Sequence, residues 1–280
     1  MSVERFIRFI DEREYVSYGE LSSAEITGKL EGKSATLLSG DPFTGLSRTD
    51  KKVTIKKLLC PIESTPIFMC IGLNYARHAK EANLPVPSLP TVFTKPPDAL
   101  AGPYDDISIH PDAQSQLDYE GEVSVIISKD AKNVSESEAL DYVLGYTVGN
   151  DVSARNFQIP DSVSGKQFSY AKSFDGFAPI GPSVLLAKGL DPQKLHYTTK
   201  VNGEKRQETG TDDMIWTIKK IIVHLTRGTT LRKGTVIMTG TPSGIGLFME
   251  PRGVGLLKNG DVVEIEVDGI GSIVNKIVFE

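Results

Sequence analysis

The sequence is short of several features that mark whole classes of protein. It has two cysteines, Cys60 and Cys70, in 280 residues. Two thiols make no disulfide framework, and with no CxxC pair they offer neither a zinc motif nor a redox motif; a reduced, cytoplasmic protein is expected. No apolar run approaches the ~18–20 residues that a membrane span requires. The opening stretch, MSVERFIRFIDEREY, lacks the apolar core of a secretory signal, and Glu4, Asp11, Glu12 and Glu14 do not suit an acid-poor mitochondrial presequence. Positive charge is also in deficit, 31 Lys and Arg against 36 Asp and Glu, for a net charge of −5. That balance argues against a partner made of nucleic acid, which calls for a basic stripe, and against an anionic membrane surface.

What is present is ordinary for a globular chain, 39% apolar and 24% charged. The length allows one large domain, or a catalytic domain with a small appendage. Residues 1–62 alternate short apolar runs with turns at Gly28, Gly32, Gly40 and Gly45, and carry few candidate catalytic groups. They read as a small N-terminal packing or dimerising domain, divided near Pro61 and Pro66 from a catalytic domain over 63–280.

The second region is richer. Strands are expected at 68–73, 121–127, 146–152 and 235–239, and a short helix over 74–83. Seven prolines fall within residues 84–111, which reads as an irregular loop acting as a lid. Ser135 and Glu138 form a capping box that opens a helix running to Gly145. Asn202-Gly203 and Asp268-Gly269 each sit between strand-like runs and predict hairpins. An apolar stripe of Ile215, Ile218, Ile221, Ile222 and Leu225 predicts a helix over 213–227, closed by Gly228. Many strands, few helices and no regular alternation indicate a β-rich α+β fold.

Five groups of residues have chemical potential. Glu120 and Glu122 are two apart on a strand and so share a face; such a pair repels unless water or a cation lies between. Asp151 is an acid in an otherwise apolar or small run, where it either joins such a site or caps the turn at Ser153. An all-oxygen set of this kind suits Mg²⁺, Mn²⁺ or Ca²⁺ rather than zinc. His78 and Glu81, at i and i+3, are neighbours on a helix, as a general base with its orienting carboxylate or as an ordinary surface pair. His196 and His224 read as structural. Arg155, Gln158 and Lys172 can hold substrate carboxylates or an oxyanion, or form salt bridges. Finally, Thr239-Gly240-Thr241-Pro242-Ser243-Gly244-Ile245-Gly246 is a turn whose amides can cradle an anion, although it is neither a Walker A loop nor a nucleophile elbow.

In order, NYARHAKE, YEGEV, GYTVGNDVSARNFQ, AKSFDGFAPIGP, VNGEKRQ and TGTPSGIG resemble the fumarylacetoacetate hydrolase superfamily, from about residue 69 to the end. The segment from Gly244 onward is most similar to the fumarylacetoacetate hydrolase domain-containing proteins and to bacterial 2-hydroxyhepta-2,4-diene-1,7-dioate isomerases. The resemblance implies a mixed β-sandwich roll and a homodimer. It also implies a Mg²⁺ (or Mn²⁺) site on Glu120, Glu122 and Asp151. His78 and Glu81 match a water-activating dyad carried on a lid. Lys172 and Gln158 match polar groups around substrate and water, and Arg155 and Thr241 fall in motifs that line the site. Two departures stand out: Asn156 replaces the usual acid after Ser-Ala-Arg, and no fourth metal carboxylate has a counterpart. The missing carboxylate speaks against fumarylacetoacetate itself as substrate.

The expected chemistry is that of 2-oxo acids passing through a metal-stabilised enolate. With both members of the dyad present, C–C hydrolysis of an acylpyruvate is the first expectation. Oxaloacetate tautomerisation or decarboxylation follows, then isomerisation of an unsaturated dioic acid. A non-catalytic scaffold on the same fold is the competing class.

Overall fold

The computed structural model describes residues 2–280. Four N-terminal strands, β1 (Arg5–Asp11), β2 (Val16–Glu20), β3 (Ser34–Asp41) and β4 (Gly45–Leu59), pair antiparallel. They enclose a cluster of their own that includes Ile7, Phe9, Leu30, Val53 and Ile55. Next come β5 (Phe68–Gly72), α1 (Ala76–Glu81), β6 (Thr91–Lys95), β7 (Leu100–Ala101), β8 (Ile107–Ile109) and β9 (Leu117–Asp118). The central strands are β10 (Gly121–Ile127) and β11 (Val143–Asn150). After β12 (Ser153–Ala154) come α2 (Arg155–Gln158), α3 (Asp161–Ser164) and β13 (Ala178–Leu186). The chain ends with a hairpin of β14 (His196–Val201) and β15 (Glu204–Gly210), then α4 (Ile218–Thr226), β16 (Val236–Met238), and a hairpin of β17 (Val262–Val267) and β18 (Gly271–Phe279).

These strands form a mixed eleven-stranded sheet in the order β2-β3-β4-β1-β13-β11-β10-β16-β5-β6, with β7 beside β13. A five-stranded sheet, β15-β14-β17-β18-β8, lies against it. Strand β10 explains the layering, since every one of its residues is buried. Val123, Val125 and Ile127 join Tyr197, Ile265 and Val267 of the smaller sheet in the main core. On the opposite face Ile126 packs with Phe68, Cys70, Ile180 and Met238. Strand β1 joins the large sheet through β13, with Phe6 opposite Val184. No helix among the described residues is long and apolar enough to cross a membrane.

The β-rich α+β expectation holds, and its boundaries shift for physical reasons. Residues 84–111 are not one irregular loop. Thr-Val-Phe-Thr-Lys between Pro90 and Pro96 is β-branched and aromatic, and it forms β6 at the sheet edge, while the prolines punctuate the ends. Pro97 and Pro111 each open a 3₁₀ turn, so the longer irregular pieces are 84–90 and 102–106. The capping box bonds as expected, Ser135 to Glu138, but the helix lasts a single 3₁₀ turn, Ala139–Tyr142. Val143 then enters β11, because a buried β-branched strand overrides a weak helix start. The helix expected over 213–227 begins later, capped by Thr217, whose Oγ1 accepts from Lys220 N. The Asn202-Gly203 turn has both residues in the left-handed region, as a type I′ hairpin requires.

One close approach fixes the two sheets. A Cβ on Gly121 would lie 2.1 Å from Thr199 Oγ1 and 3.3 Å from Ile265 Cγ2. Gly121→Ala is expected to push β10 away from the smaller sheet and cost about 1–3 kcal/mol, as overpacking does. Urea unfolding of the variant measures this, and a change inside 0.5 kcal/mol would show that the contact relaxes freely.

Candidate active site and metal centre

Strand register assembles the acids. Gly121 of β10 pairs with Asn150 of β11, so the residues just beyond, Glu120 and Asp151, meet at the strand ends. Asp151 N donates to Glu120 O at 2.9 Å, and Glu120 N donates to Asn150 Oδ1 at 3.0 Å. Asp151 therefore follows β11 rather than lying within a strand over 146–152. Glu122 projects from β10 on the same side as Glu120. One oxygen from each of Glu120, Glu122 and Asp151 falls within 4.8 Å of the others, and all three residues are buried.

Cations surround two of the three. Lys172 Nζ lies 2.9 Å from Glu120 Oε2 and 2.7 Å from Asp151 Oδ2. Arg155 Nη2 lies 2.7 Å from Glu120 Oε1 and 2.9 Å from Asp118 Oδ2. Lys95 Nζ, at the end of β6, lies 2.5 Å from Asp151 Oδ1 and also donates to the carbonyls of Val152 and Phe177. Glu122 has no cationic side chain within 4.0 Å among the described residues; its Oε2 accepts from Gly240 N at 2.8 Å. Four buried carboxylates, Asp118, Glu120, Glu122 and Asp151, thus face three buried cations, Lys95, Arg155 and Lys172.

The titration behaviour follows from this imbalance. Burial works to raise Glu120, but Lys172 and Arg155 reverse it and hold the carboxyl well below its usual range. Burial, followed by the charges of Asp151 and Glu120, pushes Glu122 far above the usual range. A carboxylate-only donor set with one acid lacking a countercharge fits a hard divalent cation.

The dyad is formed as well. His78 Nδ1 is 2.9 Å from Glu81 Oε2 on α1, and Glu81 Oε1 accepts from Gly244 N at 2.9 Å. Asn74, fully buried, anchors this helix: its Nδ2 donates to Thr239 O and its Oδ1 accepts from Trp216 N. A cavity of about 470 Å³ is lined by His78, Glu120, Arg155, Gln158, Lys172 and Thr241, among others. Gln158 Oε1 accepts from Arg155 Nη1 at 2.7 Å. Thr241 Oγ1 donates to Gly121 O and accepts from Gln207 Nε2. In this arrangement Arg155 and Thr241 are committed to the protein's own groups, at 2% and 4% exposure.

The turn over 239–246 does cradle anions, and they belong to the chain itself. Gly240 N serves Glu122, Gly244 N serves Glu81, and the amides of Gly246 and Leu247 serve the two oxygens of Asp118. Gly244 has φ +99°, and a Cβ there would lie 2.1 Å from Arg206 O, so glycine is required.

Sequence reasoning passed over Lys95, Asp118, Asn74 and Gln207. Lys95 gave the same signal as Asp151, a charge closing an apolar strand, but the flanking prolines masked the strand. Asn74 and Gln207 bond mainly to backbone, which no spacing rule reveals. His196 keeps to the surface between Glu208 and Asp268.

The fumarylacetoacetate hydrolase C-terminal family model matches residues 67–278. The chain belongs to the fumarylacetoacetate hydrolase family. It is 44% identical over 230 residues to a fumarylacetoacetate hydrolase domain-containing protein 2 homolog of Dictyostelium discoideum, covering 79% of this chain and 74% of that protein. A mitochondrial oxaloacetate tautomerase of Bos taurus is 39% identical over 221 residues, covering 79% and 69%. The 2-hydroxyhepta-2,4-diene-1,7-dioate isomerase structure from Mycobacterium marinum superposes with a TM-score of 0.80 at 32% identity, over 99% of each chain. The strand-rich architecture is that of the isomerase structure, and the tautomerase and isomerase of this family are enzymes.

Lys95 gives this family member a direct stability test. Removing one partner of a buried ion pair leaves the other uncompensated, so Lys95→Met is expected to cost about 3–5 kcal/mol. Denaturant unfolding in chelator checks it; a variant as stable as wild type would mean that Asp151 does not need this ammonium.

Proposed function

We propose that the protein is a divalent-cation-dependent enzyme of 2-oxo acids that moves a proton between C3 and the 2-oxo oxygen, with oxaloacetate as the model substrate. The observation that carries this reading is the oriented base His78 opening on the same cavity as Glu120 and Lys172. The oxaloacetate tautomerases among the relatives support it. They also move the preference away from acylpyruvate hydrolysis, which the sequence alone favoured.

Glu120, Glu122 and Asp151 would hold Mg²⁺ or Mn²⁺, whose Lewis acidity, when bound, stabilises negative charge on the 2-oxo oxygen. The chain supplies the rest. Glu81 accepts the Nδ1 proton of His78, which leaves Nε2 as the proton acceptor. Gly244 N holds the second Glu81 oxygen, so the ring cannot turn with its partner. Nε2 takes the C3 proton and returns it on the oxygen side, by way of solvent or directly. Lys172 keeps positive charge beside Glu120 and Asp151, and Gln158 offers its amide toward the cavity. Acylpyruvate hydrolysis is the second reading, because the same dyad can take its proton from water.

His78→Ala is expected to slow enol–keto exchange of oxaloacetate by about 10²–10⁴-fold at saturating Mg²⁺. Mg²⁺ affinity should stay within a few fold, since no ligand changes. Decay of the enol absorbance and cleavage of acetylpyruvate, followed in parallel, separate the two readings. A wild type that cleaves acetylpyruvate and leaves oxaloacetate exchange at its spontaneous rate would replace the first with the second.

Chelation tests the cation itself. Glu122→Gln is expected to lose the thermal stabilisation that Mg²⁺ or Mn²⁺ gives the metal-stripped wild type. An identical shift in both proteins would remove Glu122 from the site.

A further inference from the structure

Both cations at the base of the cavity are already held by acids. Arg155 is held by Asp118 and Glu120, and Lys172 by Glu120 and Asp151. Two other cations line the same cavity, Lys166 and Arg252. Lys166 faces Asp161 at 3.7 Å, with both side chains largely exposed. Arg252 has no carboxylate within 4.0 Å among the described residues. It is nonetheless a placed residue. Its guanidinium carbon lies 5.2 Å from the centre of the Phe248 ring, and that ring lies 5.9 Å from the His78 imidazole. The loop carrying it closes back on itself, with Gly253 N donating to Leu247 O at 3.0 Å and Val254 N to Pro251 O at 2.9 Å.

We propose that Arg252 is a specificity-determining residue that binds a second carboxylate at the far end of a 2-oxo acid, and so selects dicarboxylic over monocarboxylic substrates. The inference rests on the reading that the 2-oxo acid end lies at Glu120, Glu122 and Asp151. A substrate anchored there and running past His78 meets Phe248 and then the guanidinium. Arginine's planar fork matches a carboxylate with two parallel hydrogen bonds, and the aromatic face beneath holds the fork in place without using its donors. Arg252 is exposed and uncommitted, so no internal ion pair has to break for the ligand to bind.

The test is calorimetric binding to the full-length protein in saturating Mg²⁺, so it needs no turnover. Oxalate probes the 2-oxo acid end alone. 2-Oxoglutarate and 2-oxoadipate are each compared with the monocarboxylate of equal length, 2-oxopentanoate and 2-oxohexanoate. Wild type is expected to favour at least one dicarboxylate over its monocarboxylate by roughly 10-fold or more, the scale of a charged hydrogen bond. Arg252→Gln should erase that preference and leave oxalate affinity within about threefold, while Arg252→Lys keeps part of it. A preference that survives in Arg252→Gln, or its absence from wild type that binds oxalate, overturns the assignment alone. An equal loss for oxalate and the longer acids in a folded variant reduces Arg252 to a structural role. Wild type that binds no oxalate even with Mg²⁺ removes the parent reading and this assignment with it.

Discussion

The structure turns on an unequal charge balance at one end of the strand pair β10–β11. Burying an acid is costly unless its charge is compensated. Here Lys172 spans Glu120 and Asp151, Lys95 takes the other oxygen of Asp151, and Arg155 ties Glu120 to Asp118. Each cation arrives from a different element: the edge strand β6, the start of α2, and the 3₁₀ turn Tyr170–Lys172. The packing of these peripheral pieces onto the large sheet is thereby specified by charge as well as by apolar contact. Glu122 is the acid left over, held by the amide of Gly240 alone among the hydrogen bonds described.

Much of this was legible from local rules. The two-residue period placed Glu120 and Glu122 on one face, and the i, i+3 period placed Glu81 beside His78. The Asn202-Gly203 hairpin and the apolar stripe of α4 were equally plain. These features depend on residues within a few positions of each other, where geometry is nearly fixed by the backbone.

The features that were misread depend on distant partners. Thr91–Lys95 became a strand because β5 offered a free edge to it, which outweighed the prolines on either side. The segment after Ser135 stopped short as a helix because Val143 had a place opposite Ile127 in the sheet. Asn74 owes its importance to Thr239, Trp216 and Ile215, all more than 130 positions away. A single sequence carries the residue types for such contacts but not the pairing.

The turn that follows β16 has a role beyond holding individual acids. Its amides grip Glu122, Glu81 and Asp118 within eight residues of backbone, from Gly240 to Leu247. Glu122, the carboxylate that holds His78 and the partner of Arg155 are therefore set against one common ruler. If this short segment shifts, all three move together and their spacing is kept. Three of the four amides belong to Gly240, Gly244 and Gly246, where a Cβ would meet neighbouring atoms at 2.1–2.7 Å, so this common grip depends on glycine at each. Residues at the mouth of the cavity, on the loops around Phe248 and Lys166, can then vary without disturbing that grip.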